Sequence, residues 1–486
     1  MKTMLKNIYE LLKTILMIIL FISVIILASI YIIQTQRLAL ARPIDISMKS
    51  LLIVKKGESA STEFNKNHVN PIFIGYKYKG NSISKGSFSA DIINDIYNSI
   101  SVNIIKLLSN SSECKIIYDN PSGHWNDIIN NKTYIYIKYQ FEIPSKIIYS
   151  YFTNEILIDN NEIAAGGIIF IKDILLVLEN AEAYKYSYSM AVRDSNGNVA
   201  EYTIINNDGS DDNYFDINKL SNYNAELIDY NFYIDQPIVY SNIILNNETI
   251  LIDNNLNLKT VTVTDNILNI NNDEIIKVFG YNPARINTYM ENDNKTTVYV
   301  ELHKNLKISE DGIIEFNYTE ESNGIEISEF LNYKNSSGEY TIYETLLSIS
   351  NFINIVKGID NSLLGGDAGL CLKSIQNIDN NIIIEFCYTF DNIVFYNSEY
   401  IPITACRFII NNFCFKEIKI NNLTVIDVHK KKISFSQDWT IRNINSSIAA
   451  ANTSDKKYYG DVQLAYVNLN SDNNELIPEW IFIYKE

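Results

Sequence analysis

The chain has 486 residues, a formal net charge of −17 and 47% apolar residues. That length and apolar content support two or three domains with real cores. The acidic balance argues against a nucleic-acid binder, whose backbone contacts need clustered Lys and Arg, and disfavours broad adhesion to anionic wall polymers or lipid headgroups.

Residues 14–36 carry no charge, and the stretch from Thr14 to Ile33 is almost wholly aliphatic. About 20 such residues at about 1.5 Å rise match a hydrocarbon core about 30 Å thick. The stretch is too long for a signal-peptide core of about 7–15 residues. It is therefore expected to be an uncleaved transmembrane anchor. Residues 1–13, with Lys2, Lys6 and Lys13, form a cytoplasmic tail, and the C-terminal part lies outside the cytoplasm.

Residues 37–70 read as a linker. A first α+β module, 71–205, opens with an expected strand at Ile72–Tyr78. An amphipathic helix follows at Ser89–Leu108, on the spacing of Ile92, Ile93, Ile96, Tyr97, Ile100, Ile104 and Leu107. Strands are expected at Lys115–Tyr118 and Thr133–Ile143, then a short helix from Pro144 to Phe152. A hairpin turns at Asn196-Gly197, between Tyr184–Val192 and Val199–Ile204. Residues 206–229 read as an acidic, Asn-rich linker.

The middle α+β module, 230–364, is expected to hold a short helix at Asp273–Phe279 and strands at Thr297–Leu302, Leu306–Ile308 and Ile313–Tyr318. A turn at Asp311-Gly312 and a helix from Glu339 to Val356 complete it. The C-terminal module, 365–486, reads as strands at Gly369–Ile375, Ile382–Phe390, Ile403–Ile410, Phe413–Ile420, Val462–Leu469 and Leu476–Tyr484. Helices packed on antiparallel sheets behind one N-terminal transmembrane helix make the expected class α+β.

Few residues combine into chemistry. Gly365-Gly366-Asp367 lacks the Lys-Ser/Thr of a phosphate loop and precedes a strand, so it reads as a tight turn. Asp208, Asp211, Asp212 and Asp216 fail the calcium-loop register, which would put Ile204 and Phe215 at ligand positions. His68, His124, His303 and His429 are dispersed, and His124-Trp125 reads as an exposed loop. Cys114, Cys371, Cys387, Cys406 and Cys414 are too few for a disulfide framework, with one pairing left open. No catalytic, cofactor-binding or metal-ligating residue is expected, and the chain is read as non-enzymatic.

A series of short patterns in the second half carries a family likeness. It runs Phe279-Gly280-Tyr281-Asn282, Thr297-Val298-Tyr299-Val300-Glu301, Asp311 to Phe316, Gly366-Asp367-Ala368-Gly369-Leu370 and Ile384-Glu385-Phe386-Cys387-Tyr388. Val462-Gln463-Leu464-Ala465-Tyr466 and Leu476-Ile477-Pro478-Glu479-Trp480 close it. Over residues 265–486 this resembles the YycH/YycI (WalH/WalI) family of Gram-positive bacteria. The resemblance implies a non-catalytic, single-pass extracytoplasmic regulator of a cell-wall two-component sensor histidine kinase. A WalK-like kinase and a YycI-like protein would be its partners. The alternatives weighed are an anchored cell-envelope enzyme acting on glycan or peptide, and a structural envelope-assembly protein.

Overall fold

A computed structural model describes most of residues 66–485, leaving aside 150–169, 205–226, 332–339, 433–457 and several shorter stretches. The chain divides into two units, Met1–Ser59 and Ala60–Glu486, and every described residue belongs to the second.

An antiparallel sheet takes nine of the described strands. These are β1 (Phe73–Lys77), β2 (Ser84–Ser87), β3 (Glu113–Ile117), β4 (Thr133–Pro144), β5 (Phe170–Ala181), β6 (Lys185–Arg193), β7 (Val199–Ile204), β8 (Ile228–Phe232) and, after a break, β11 (Ile250–Ile252). Their spatial order is β11-β8-β2-β1-β4-β5-β6-β7-β3. Between them in the chain, β9 (Val239–Tyr240) and β10 (Ile243–Leu245) leave for a second sheet.

Helix α1 (Ala90–Asn110) packs on the first sheet. Ile93, Ile96, Tyr97, Ile100, Ile104 and Leu107 are all buried on one stripe. Each such side chain contributes about 1.5–3 kcal/mol by leaving water. The Tyr97 and Tyr139 hydroxyls meet at 2.6 Å and tie the helix to β4. The turn between β6 and β7 closes as the sequence suggests: Gly197 has φ +83°, and the Asp194 carboxylate accepts the Asn196 and Asn198 amides.

The second sheet runs from β12 (Asn257–Thr264) through β13 (Asn287–Met290), β14 (Thr296–Glu301), β15 (Lys304–Ser309), β16 (Ile313–Tyr318) and β17 (Ile325–Glu326). It continues with β18 (Gly369–Ile378), β19 (Asn381–Phe390), β20 (Ile393–Tyr396), β21 (Thr404–Asn411), β22 (Cys414–Asn421), β23 (Thr424–Lys432), β24 (Tyr458–Asn468) and β25 (Glu475–Lys485). Its main path is β13-β14-β15-β16-β22-β21-β19-β20-β24-β25-β12-β23. Two pairs, β10 with β24 and β20 with β24, are parallel. The segment 230–364 is shared, sending β11 to the first sheet and β12 to β17 to the second.

Two further helices are α2 (Pro121–Asn131) and α3 (Asn272–Val278). A fourth, α4 (Ile342–Ile359), opens on a capping box. The Thr341 hydroxyl accepts the Glu344 amide, and the Glu344 carboxylate accepts the Thr341 amide. Two of its buried polar side chains bond to the preceding segment, Ser348 donating to the Ile327 carbonyl and Asn351 to that of Phe330. Phe352 lies against the rings of Phe279, Phe330, Phe408 and Phe415.

Among the described residues, side chains that bridge to the second sheet include Gln140, Phe88 and His68. Gln140 of β4 donates to the Tyr396 hydroxyl at 2.9 Å and to Gln463 Oε1 at 2.6 Å. Phe88 meets Trp480 edge-on. His68 bonds through Nδ1 to the Leu370 carbonyl at 2.8 Å and sets its ring against Phe386. Burial pushes the His68 imidazole down to about 4, with the Lys357 charge adding to the effect.

The membrane part of the expected fold class is corrected. Among the described residues no helix is long and apolar enough to cross a membrane. The expected anchor at 14–36, the tail at 1–13 and the linker up to residue 65 lie outside the described residues. The single-pass topology and the cell-membrane, extracytoplasmic placement are therefore withdrawn.

Candidate functional site

The residues tested for chemistry are held mostly by structural contacts. Gly365-Gly366-Asp367 is a tight turn entering β18. Leu364, Gly365 and Gly366 all take positive φ, and the Leu364 amide donates to Asn422 Oδ1 at 2.7 Å. Asp208, Asp211, Asp212 and Asp216 lie outside the described residues. Cys371, Cys387, Cys406 and Cys414 are free. Cys371 stands opposite Cys387 across β18 and β19. Burial pushes the Cys387 thiol up to about 12 and the Cys371 thiol well above its usual value. Little thiolate, the nucleophilic form, is then present near neutrality.

His124-Trp125 departs from the loop expectation. Both residues lie in α2, because Asn120 caps the helix by accepting the Gly123 amide at 3.1 Å and Pro121 suits its first turn. Trp125 is fully buried, with the Arg193 guanidinium 4.3 Å from its ring. His124 Nε2 lies 3.3 Å from Glu201 Oε2, both side chains half-buried. His303 follows β14 in the turn to β15, where its carbonyl accepts from Thr319. His429 pairs with Asp427 at the exposed β23.

A buried charged row crosses the first sheet. Lys138, Asp173 and Arg193 stand opposite one another on β4, β5 and β6. Asp173 accepts from Arg193 Nη2 at 2.7 Å and from the Tyr136 hydroxyl at 2.6 Å. Burial pushes the Asp173 carboxyl up, but Arg193, Lys138 and Tyr136 outweigh that and hold it below its usual range. Asp173 thus ties Arg193 and Tyr136 together within the sheet.

The open feature is β13. All four of its residues are exposed, including Tyr289 at 52% and Met290 at 54%, whereas β14 beside it is largely buried. It ends the sheet and pairs only with β14 among the described residues. The Glu291 amide donates to the Thr296 carbonyl at 2.9 Å. Odd-numbered amides of β13 therefore face β14, and those of Thr288 and Met290 face outwards.

Asp293 closes the turn to β14. Asp293 accepts the Lys295 and Thr296 amides and the Thr296 hydroxyl, and these bonds hold its carboxyl below the usual range. Glu291 reaches Lys307 at 2.6 Å and raises that ammonium. At the opposite end of the sheet, β23 finishes in Lys430-Lys431-Lys432. Lysines on an edge strand discourage pairing with other chains, and β13 has none. The sequence reading began this module's strands at Thr297 and missed β13. The Thr288-Tyr289 pair and the following Asp293-Asn294 turn, with Asn294 at φ +55°, were the available signals.

No family model and no curated protein matches the chain. A similar solved structure is that of an uncharacterized protein from Eubacterium rectale. It is 8% identical, with a TM-score of 0.33, and the match covers 52% of this chain and 85% of that one. A likeness at that level carries no argument about function. Nothing in these comparisons points to a YycH or YycI relative. With the anchor unsupported, the membrane-anchored kinase regulator, its WalK-like and YycI-like partners and the anchored-enzyme alternative are withdrawn.

Proposed function

We propose that the unit from residue 60 to 486 is a non-catalytic interaction module that binds an extended polypeptide segment by strand addition at β13. The observation that carries this reading is the wholly exposed β13, with outward amides at Thr288 and Met290 and no lysine or proline along its edge. Strand addition takes its affinity from main-chain hydrogen bonds and its selectivity from alternate side chains. The commitment of Asp173, Glu344 and His68 to structural bonds supports the same reading.

Replacement of the native gene tests it in two arms. Thr288→Pro removes an outward N–H while sparing the bonds to β14. A chain with His124→Ala and Glu201→Ala removes the half-buried acid–base pair. The reading expects Thr288→Pro to reproduce the deletion phenotype and the double variant to behave as wild type. The reverse pattern sinks it in favour of chemistry at His124.

A further inference from the structure

Two cysteines face each other across one rung of the second sheet. In the antiparallel register of β18 with β19, Cys371 stands directly opposite Cys387. Facing residues of such a pair project from the same side of the sheet. Both side chains accordingly pack in one small apolar cluster with Val394, Tyr396 and Val467. The Tyr388 amide donates to the Ile403 carbonyl, away from β18. Cys387, one residue earlier, therefore turns its amide and carbonyl towards Cys371. The Cα atoms of a hydrogen-bonded pair lie about 5.5 Å apart, inside the range of about 4.4–6.8 Å found in disulfides.

The other cysteines stand apart from this rung. Cys406 faces Phe386 and belongs to a different core cluster from Cys387. Cys414 opens β22 opposite Asn411, and Cys114 lies on β3, at the far end of the first sheet. The strand carrying Cys371 is also weakly attached. Among the described residues β18 pairs with β19 alone, and a bulge between Leu372 and Ser374 interrupts that ladder. Beside Cys371, the Leu370 carbonyl meets His68, so this end of β18 borders the junction of the two sheets.

We infer that Cys371 and Cys387 form a reversible cross-strand disulfide that fastens β18 to β19 when the chain meets an oxidised small-molecule disulfide such as glutathione disulfide. Cys371 is half-buried and Cys387 sealed, so the Cys371 thiolate attacks first. It breaks the glutathione disulfide, forms a mixed disulfide and releases one glutathione. The Cys387 thiolate then attacks the Cys371 sulfur and displaces the second glutathione. The pair gives up two electrons and two protons, and glutathione disulfide is reduced to two thiols. Burial keeps both cysteines protonated, so exchange in the folded chain is slow near neutrality and quickens as pH rises. Facing Cβ atoms start about 4.5–5.5 Å apart, against about 3.5–4.5 Å in a disulfide. Closure therefore draws the strands together, and the bond is readily reduced.

The full-length chain is equilibrated across ratios of oxidised to reduced glutathione. One series starts from folded protein at about pH 8.5 and the other from the reduced, unfolded chain. Acid quenching, thiol blocking and peptide mass mapping then locate every bond. The expected result is a linked Cys371–Cys387 peptide from both starting points, lost again in reduced glutathione. Cys387→Ala should stop at a glutathione adduct on Cys371, and Cys406→Ala should behave as wild type. In the oxidised wild type, β18 amides should exchange with solvent about tenfold or more slowly than in the reduced protein. Cysteines that all stay reduced at every ratio, or a bond that joins Cys114, Cys406 or Cys414 instead, overturn the inference. A Cys371–Cys387 bond that leaves β18 exchange unchanged overturns the fastening role.

Discussion

The junction between the two sheets and the β13 edge handle polar groups in opposite ways. At the junction and in the first sheet beside it, polar side chains are sealed and paired: Gln140 with Tyr396 and Gln463, His68 with Leu370, Asp173 with Arg193. At β13 the same kinds of group remain in water, on both faces and along one edge. The comparison shows where this molecule has committed its chemistry to folding and where it has not. Buried polar groups cost stability when a partner is removed, whereas exposed ones can change partners at little cost.

The largest expected effect breaks the sealed side. Arg193→Met leaves the Asp173 carboxylate buried beside Tyr136 without its main counter-charge. Destabilisation of about 3–5 kcal/mol is expected in urea unfolding. A loss under about 1 kcal/mol would show that Lys138 and Tyr136 suffice to hold Asp173.

His68 sharpens the comparison through pH. Its folded-state value of about 4 lies below the ordinary 6.5, so the unfolded chain binds the proton first as pH falls. This contribution is complete above about pH 6.5, declines between 6.5 and 4, and is level below that. A depression of that size corresponds to about 3 kcal/mol. Stability of wild type minus His68→Gln, measured from pH 7.5 to 4, should decline by that order. A flat difference would mean that His68 is accessible to solvent protons in the folded state.

Thr341→Ala at the start of α4 removes one half of a reciprocal cap and should cost about 1 kcal/mol. The smallest effect is expected at the open edge. Thr288→Pro should change the unfolding free energy by less than about 1 kcal/mol, because the lost N–H points away from β14. A larger loss would place that amide inside the sheet and end the contrast between the two regions.

How much of this was legible depends on whether burial left a period in the residues. Helix α1 was readable because Ile93, Ile96, Tyr97, Ile100, Ile104 and Leu107 meet one apolar face at helical spacing. β16 was readable for the matching reason at period two, whereas β4 is buried on both faces and was readable from its run of aromatic and β-branched residues. β13 was not, since all four of its residues face water and no alternation remains to be seen. Trp125 looked like a loop residue because Pro121-Ser122-Gly123 suggests a turn, whereas Asn120 converts that turn into a helix start. The row of Lys138, Asp173 and Arg193 was equally hidden, because its members are distant in sequence and only strand register sets them side by side.

Sequence alone pointed to helices accompanying strands, to helices near α1 and α4, and to the turns at Gly197 and Gly312, each governed by interactions within a few residues. Tertiary structure decided which strands ended each sheet, which charges were sealed, and that the segment 230–364 would be divided between two sheets. Those outcomes depend on register between distant strands, and a register is a property of the pair that no single strand encodes.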